Sequence, residues 1–149
     1  MRFPILVAVI MLGMASCGKA PTNSEIRVEG AWIQLPAVSG RPGAAYFTIR
    51  AGQKADELTG VSTPAAGRAE LHSNIMDGGM MRMGPLKDRS IPANGALTFA
   101  PGGNHVMLFN IRPDAKAGAK TPITFTFKQA SPVTAQAEIR AFGADHGGH

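Results

Sequence analysis

The sequence predicts an all-β domain, an antiparallel sandwich or a small Greek-key barrel of about eight short strands. Three observations lead there. The stretch "VTAQAEIRAF" sets Val133, Ala135, Ala137, Ile139 and Ala141 against Thr134, Gln136, Glu138 and Arg140, and "ITFTFK" sets Ile123, Phe125 and Phe127 against Thr124, Thr126 and Lys128. Such period-two alternation of apolar and polar residues is the mark of a half-buried strand. Clusters of Pro and Gly, "LPAVSGRPG", "TPAAG", "IPANG" and "APGGN", divide the chain into short pieces. Finally, no stretch beyond Cys17 keeps apolar residues at helical spacing over the roughly 10–12 residues a helix needs.

Taken in order, the elements begin with an export signal. In "MRFPILVAVIMLGMASCGKA", Arg2 precedes an apolar run of 12 residues from Phe3 to Met14, followed by the small residues Ala15 and Ser16 and then Cys17. The run is shorter than the roughly 18 residues of a membrane-spanning helix and has the layout of a secretory signal. Residues 1–16 are therefore assigned to a signal peptide of lipoprotein type. Cys17, the only cysteine, resembles the modified cysteine of a bacterial lipoprotein box, although Met14 stands where that box usually has Leu. Lipidation there would anchor the protein at a membrane surface; ordinary cleavage nearby would instead leave a soluble chain. Residues 17–24 form a polar tether, 25–143 the domain, and 144–149 a flexible tail. Within the domain, "IRVEGAWIQL", "AAYFTIRA", "DELTGVST" and "RAELHS" read as strands ahead of the two alternating ones.

The charge excludes one class of partner. Without Arg2, 14 basic residues face 10 acidic ones, a net charge of about +4. The Lys and Arg are scattered singly, so nothing resembles a nucleic-acid footprint.

The methionines are unevenly placed. Three belong to the signal; the other five, Met76, Met80, Met81, Met83 and Met107, all fall between residues 76 and 107, and His72 and His105 flank that window. In "GGNHVMLFN", His105 and Met107 share one face of a strand while Val106 and Leu108 take the other. Met81 and Met83 share a face in the same way, and His72 is expected to end the "AELH" strand. Either pair alone reads equally well as packing, since Met is a common filler of cores. Together they suit monovalent copper: thioether sulfur is soft and selects Cu(I), and imidazole binds copper of either valence. A thioether also has no proton to displace near neutral pH.

The four residues fit the pattern H-x10-M-x21-H-x-M, which resembles the periplasmic Cu(A) chaperone family (PCuAC). The neighbouring stretches "AAYFTI", "ELHSNIMDGGMMRM" and "FAPGGNHVML" share the likeness, which extends over roughly residues 26–142. The resemblance implies a cupredoxin-like Greek-key β-sandwich or barrel, with His72, Met83, His105 and Met107 as Cu(I) ligands. It further implies a periplasmic chaperone, not an enzyme, that delivers copper to the Cu(A)-bearing subunit of cytochrome c oxidase alongside Sco-type proteins. Met76, Met80 and Met81 lie outside the pattern and are expected to pack or to support the ligands. Some members carry metal-binding tails, so His146 and His149 in "DHGGH" are either a weak Cu(II) site or a solvated terminus.

Other classes meet obstacles in the sequence. A cupredoxin-type electron carrier needs a Cys thiolate beside its His ligands, and Cys17 lies in the export region. Ser73 next to His72 is no nucleophile–base pair, because adjacent strand residues point to opposite faces. A copper-storage or resistance protein would use the same ligands and remains the alternative.

Overall fold

The computed structural model describes residues 25–144. The signal, Cys17, the tether, His146 and His149 lie outside the described residues. Ten strands and no helix longer than a single turn make up this part: β1 (Arg27–Gln34), β2 (Gly43–Arg50), β3 (Asp56–Ser62), β4 (Ala66–Asp77), β5 (Met80–Pro85), β6 (Ser90–Ile91), β7 (Ala96–Phe99), β8 (His105–Ile111), β9 (Lys120–Phe127) and β10 (Val133–Arg140). They join in the order β5-β4-β8-β2-β1-β10-β9-β3-β6, with β7 also on β2. Residues of β3 lie against β4 and those of β6 against β7, so the long sheet folds over on itself.

The fold is all-β, as the alternation predicts, but it is not wholly antiparallel. β1 and β10 pair in parallel, Trp32 beside Glu138 and Ile33 beside Ile139. Parallel neighbours need a long crossover, and here nearly the whole domain supplies it, closing its first strand against its last. β1 also carries a bulge between Glu29 and Trp32. Gly30 sits there at φ 60°, a conformation that suits a residue without Cβ. The extra residue sets the phase of the strand, with Ile33 buried in the core and Trp32 paired with Tyr46, their rings 4.6 Å apart.

The core lies between the folded-over layers. Phe47 packs on Phe99 at 4.5 Å and edge-on against Phe125 at 4.7 Å, with Leu58, Val106, Leu108 and Ile123 fully buried around them. Each such side chain contributes roughly 1.5–3 kcal/mol through burial. β4, β5 and β8 give only one face to this core. Leu71, Val106 and Leu108 point inward. The residues between them point outward, and the candidate ligands are among these.

β4 is longer than the sequence suggests. It runs five residues past His72 and turns at Gly78-Gly79, both at positive φ (58° and 80°), into β5. A two-residue loop with φ positive at both positions matches the right-handed twist of a hairpin. His72 therefore lies inside a strand, not at its end.

Candidate metal centre

β2 changes partner halfway along. Its first residues pair with β8 and its later ones with β7, and the chain crosses between those two strands in a tight turn. In that turn the Gly103 N–H donates to Ala100 O at 3.0 Å, the Ala100 N–H to Asn104 O at 2.9 Å, and Gly102 takes φ 83°. His105 is the first residue after it. Its Nδ1–H donates to the Gly103 carbonyl at 3.0 Å. The residue is only 7% exposed, and its other nitrogen, Nε2, is buried with no hydrogen-bond partner.

His72 sits directly across from His105 in the β4–β8 ladder. Its Nε2–H donates to Glu70 Oε2 at 3.1 Å, the side chain is 18% exposed, and Nδ1 is buried with no partner. The two rings are 6.0 Å apart between centroids and inclined at 41°. These two nitrogens are the only buried side-chain polar atoms without a partner among the described residues. Leaving such an atom unsatisfied costs about 1–3 kcal/mol, so one on each of two facing rings calls for an explanation. Metal-bound imidazoles have this arrangement: one ring nitrogen is tied to a carboxylate or carbonyl, and the other presents its lone pair to the ion.

The strand register brings the thioethers to the same face. Met107, half-buried, follows His105 by two positions and stands opposite Glu70, diagonal to His72. Met83 stands opposite Asn74 on β5, diagonal to His72 on the other side. Diagonal neighbours in a sheet lie about 7–8 Å apart, within reach of long side chains. His72 on the central strand is thus flanked by His105 and Met107 from β8 and by Met83 from β5. All four predicted residues share one sheet face. The two imidazoles lie deep, whereas Met83 is 55% exposed.

Glu70 ties this face together. One carboxylate oxygen accepts from His72, and the other is 3.1 Å from Arg68 Nε. The Arg68 guanidinium lies 4.4 Å above the Phe109 ring. Sequence reasoning missed Glu70 and Gly103, yet each stands two residues before its histidine, the spacing that keeps strand residues on one face. Among the described residues no three His, Cys, Asp or Glu converge on one point.

Two expectations are corrected. His72 lies inside β4 and not at its end, because the strand continues to Asp77, whereas His105 is the first residue of β8. Of the two roles expected for Met76, Met80 and Met81, packing is ruled out, because all three are well exposed. Met76 and Met81 sit past the start of β8, where β4 and β5 extend as a two-stranded hairpin with no third strand beside them.

A wide cleft lies elsewhere. Its volume is about 540 Å³, and Ile26, Lys54, Asp56, Ala130 and Pro132 are among its walls. Asp56 there accepts from the backbone N–H groups of Glu57 and Gln129 on one oxygen and of Ala130 on the other. Desolvation pushes its pKa up, but the N–H groups of Glu57, Ala130, Gln129 and Lys128 together outweigh that and hold the carboxyl below its ordinary range.

A family model described as "Putative lipoprotein LpqE-like" matches residues 26–139. A protein of Leifsonia xyli subsp. xyli (strain CTCB07) that is also described as a lipoprotein is 28% identical over 146 residues, 91% of this chain and 87% of its own. The Cu(I)-bound solution structure of DR1885 from Deinococcus radiodurans is 28% identical, covers 84% of this chain and 83% of its own, and superposes with a TM-score of 0.61. The apo PCuAC domain of PmoF1 is 26% identical, covers 78% of this chain and 93% of its own, and has a TM-score of 0.63.

Proposed function

The chain belongs to the LpqE-like lipoprotein family, whose domains are of the PCuAC type, and from that premise we propose that it is a copper chaperone. In this reading it is a membrane-anchored, extracytoplasmic protein that holds one Cu(I) on His72 Nδ1, His105 Nε2 and the sulfurs of Met83 and Met107. The observation that carries the reading is the pair of buried, unpartnered imidazole nitrogens on facing rings, each ring locked from behind by Glu70 or Gly103.

The chemistry of the donor set supports the monovalent ion. Two thioethers and two neutral imidazoles form a soft, uncharged shell that suits Cu(I). The hydrogen bonds that the rings donate to Glu70 and Gly103 would fix which nitrogen of each ring faces the metal and raise its basicity. A chaperone must also release its cargo. The imidazoles hold copper from the buried side, and Met83 lies on the open side, so an incoming ligand from an acceptor would displace Met83 first. Copper passes on by exchange of ligands at constant valence, with the protein binding and not catalysing.

Anaerobic titration of the exported domain with Cu(I) is expected to saturate at one equivalent, with the ring signals of His72 and His105 shifting together. Unmoved imidazole signals would overturn the assignment. The recipient we propose is the Cu(A)-bearing subunit of cytochrome c oxidase, with Sco-type proteins as companions. Copper storage or resistance would use the same ligands. A deletion strain decides between them: loss of oxidase activity at low copper, restored by added copper, supports delivery, and mere copper sensitivity supports resistance.

A further inference from the structure

Met76 and Met81 stand directly opposite each other on β4 and β5, on the same face as Met83 and His72. They are 67% and 65% exposed. A methionine that fills a core has no reason to stand in solvent, and two facing each other across a ladder bring their Cβ atoms to about 4.5–5.5 Å. Two flexible thioethers at that separation can close on one soft ion. The hairpin keeps its charges off this face: Asp77 and Arg82 point to the other side, where they approach within 3.8 Å. Only Asn74 adds a polar group among the methionines.

We propose that Met76 and Met81 form a second, weaker Cu(I) site that acquires the ion and passes it by way of Met83 to His72 and His105. The proposal rests on the four-ligand reading above and adds the route by which copper arrives. The order follows from the register: Met76–Met81 at the exposed end, Met83 opposite Asn74 one step inward, then His72. Copper stays monovalent throughout. Its bonds to the sulfurs of Met76 and Met81 break as bonds to Met83 and then to the imidazole nitrogens form, so no electron is transferred. Thioethers carry no proton at neutral pH, so acquisition displaces none. Two thioethers bind more weakly than the full set, as a site that only receives the ion requires.

The test uses a His72→Ala, His105→Ala double variant with ¹³C-methyl-labelled methionine, titrated anaerobically with Cu(I). The methyl signals of Met76 and Met81 are expected to shift and to saturate near one equivalent, and a further M76L/M81L change should abolish that uptake. If the two signals stay in place, the second site does not exist. In the otherwise unaltered chain, M76L/M81L is expected to slow loading from a Cu(I) chelator at least fivefold. Release to a competing chelator should slow with it, because both directions pass through the same thioethers. Unaltered rates in both directions would overturn the relay and leave these methionines as an apolar contact for a partner. Failure of the four-ligand reading shows differently, as imidazole signals that do not respond to Cu(I) in the unaltered chain, and that result would remove the relay's destination.

Discussion

Asp56 and His105 each begin a strand, and each is a polar side chain set against backbone, yet their hydrogen-bonding capacity is used in opposite ways. Three backbone N–H groups occupy the two oxygens of Asp56, two of them from Gln129 and Ala130 in the loop after β9. His105 has one nitrogen held by Gly103, while the other is buried and paired with nothing. The Asp56 cleft is a concavity of about 540 Å³, but its carboxylate has been used up in tying a loop to β3. The imidazole face keeps two buried lone pairs uncommitted. If the proposed copper site is right, uncommitted buried lone pairs locate it better than cavity size does, and the two regions should respond oppositely to mutation.

The strongest test of the contrast replaces His105 with Leu. This removes a proposed ligand and also removes an unsatisfied buried nitrogen from the metal-free fold. Cu(I) affinity is expected to fall at least about a hundredfold, since loss of a supporting partner alone costs about 10–100-fold. The metal-free domain should melt at the same temperature or higher, as sites shaped for function often sacrifice stability. Competition against a Cu(I) chelator and thermal melting measure the two effects. A large drop in apo stability with affinity retained would make His105 a structural residue like Asp56.

Glu70 offers a finer cut, because it touches His72 without being a candidate ligand. Glu70→Ala frees the His72 ring to rotate and removes the acceptor that fixes Nε2 as the protonated nitrogen. A loss of about tenfold in Cu(I) affinity is expected, at the low end for such partners because the carboxylate is partly exposed. Glu70→Gln, which keeps an acceptor oxygen, should recover part of it. Equal losses in both variants would mean that charge, and not the hydrogen bond, is what Glu70 supplies.

Much of this was legible in the sequence because strand periodicity is local. The alternation in 123–128 and 133–142 located β9 and β10, and the two-residue spacing of His105 and Met107 placed them together on the outer face. The predicted end of β4 at His72 was too early, because Ser73, Asn74 and Asp77 weaken the apolar alternation while β5 still supplies ladder partners. The exposure of Met76 and Met81 was not legible either. A strand pattern shows which residues share a face, but not that the sheet narrows to a two-stranded hairpin beyond His105. The facing of His72 and His105 depends on a β4–β8 pairing across more than thirty residues, and only the match to a known spacing hinted at it. The parallel closure of β1 on β10 joins the two ends of the domain, where no local signal reaches.

Replacing Asp56 should give the smallest and most purely structural effect. Asp56→Ala leaves the N–H groups of Glu57, Gln129 and Ala130 without their shared acceptor. Water can reach this partly exposed cleft, so the cost is expected to be about 1 kcal/mol, read as a lower thermal midpoint with Cu(I) affinity unchanged. The pH dependence gives the sign. Because the folded carboxyl is held below its ordinary value near 3.9, the folded state favours the ionised form more than the unfolded state does. Its stabilising contribution is complete above the unfolded pKa and is lost as pH falls through the folded one. The gap between the parent domain and Asp56→Ala should thus hold constant from neutrality to about pH 5 and narrow below about pH 4. A gap that widened on acidification would mean that Asp56 favours its protonated form in the fold, and that its backbone hydrogen bonds are not what secures the loop.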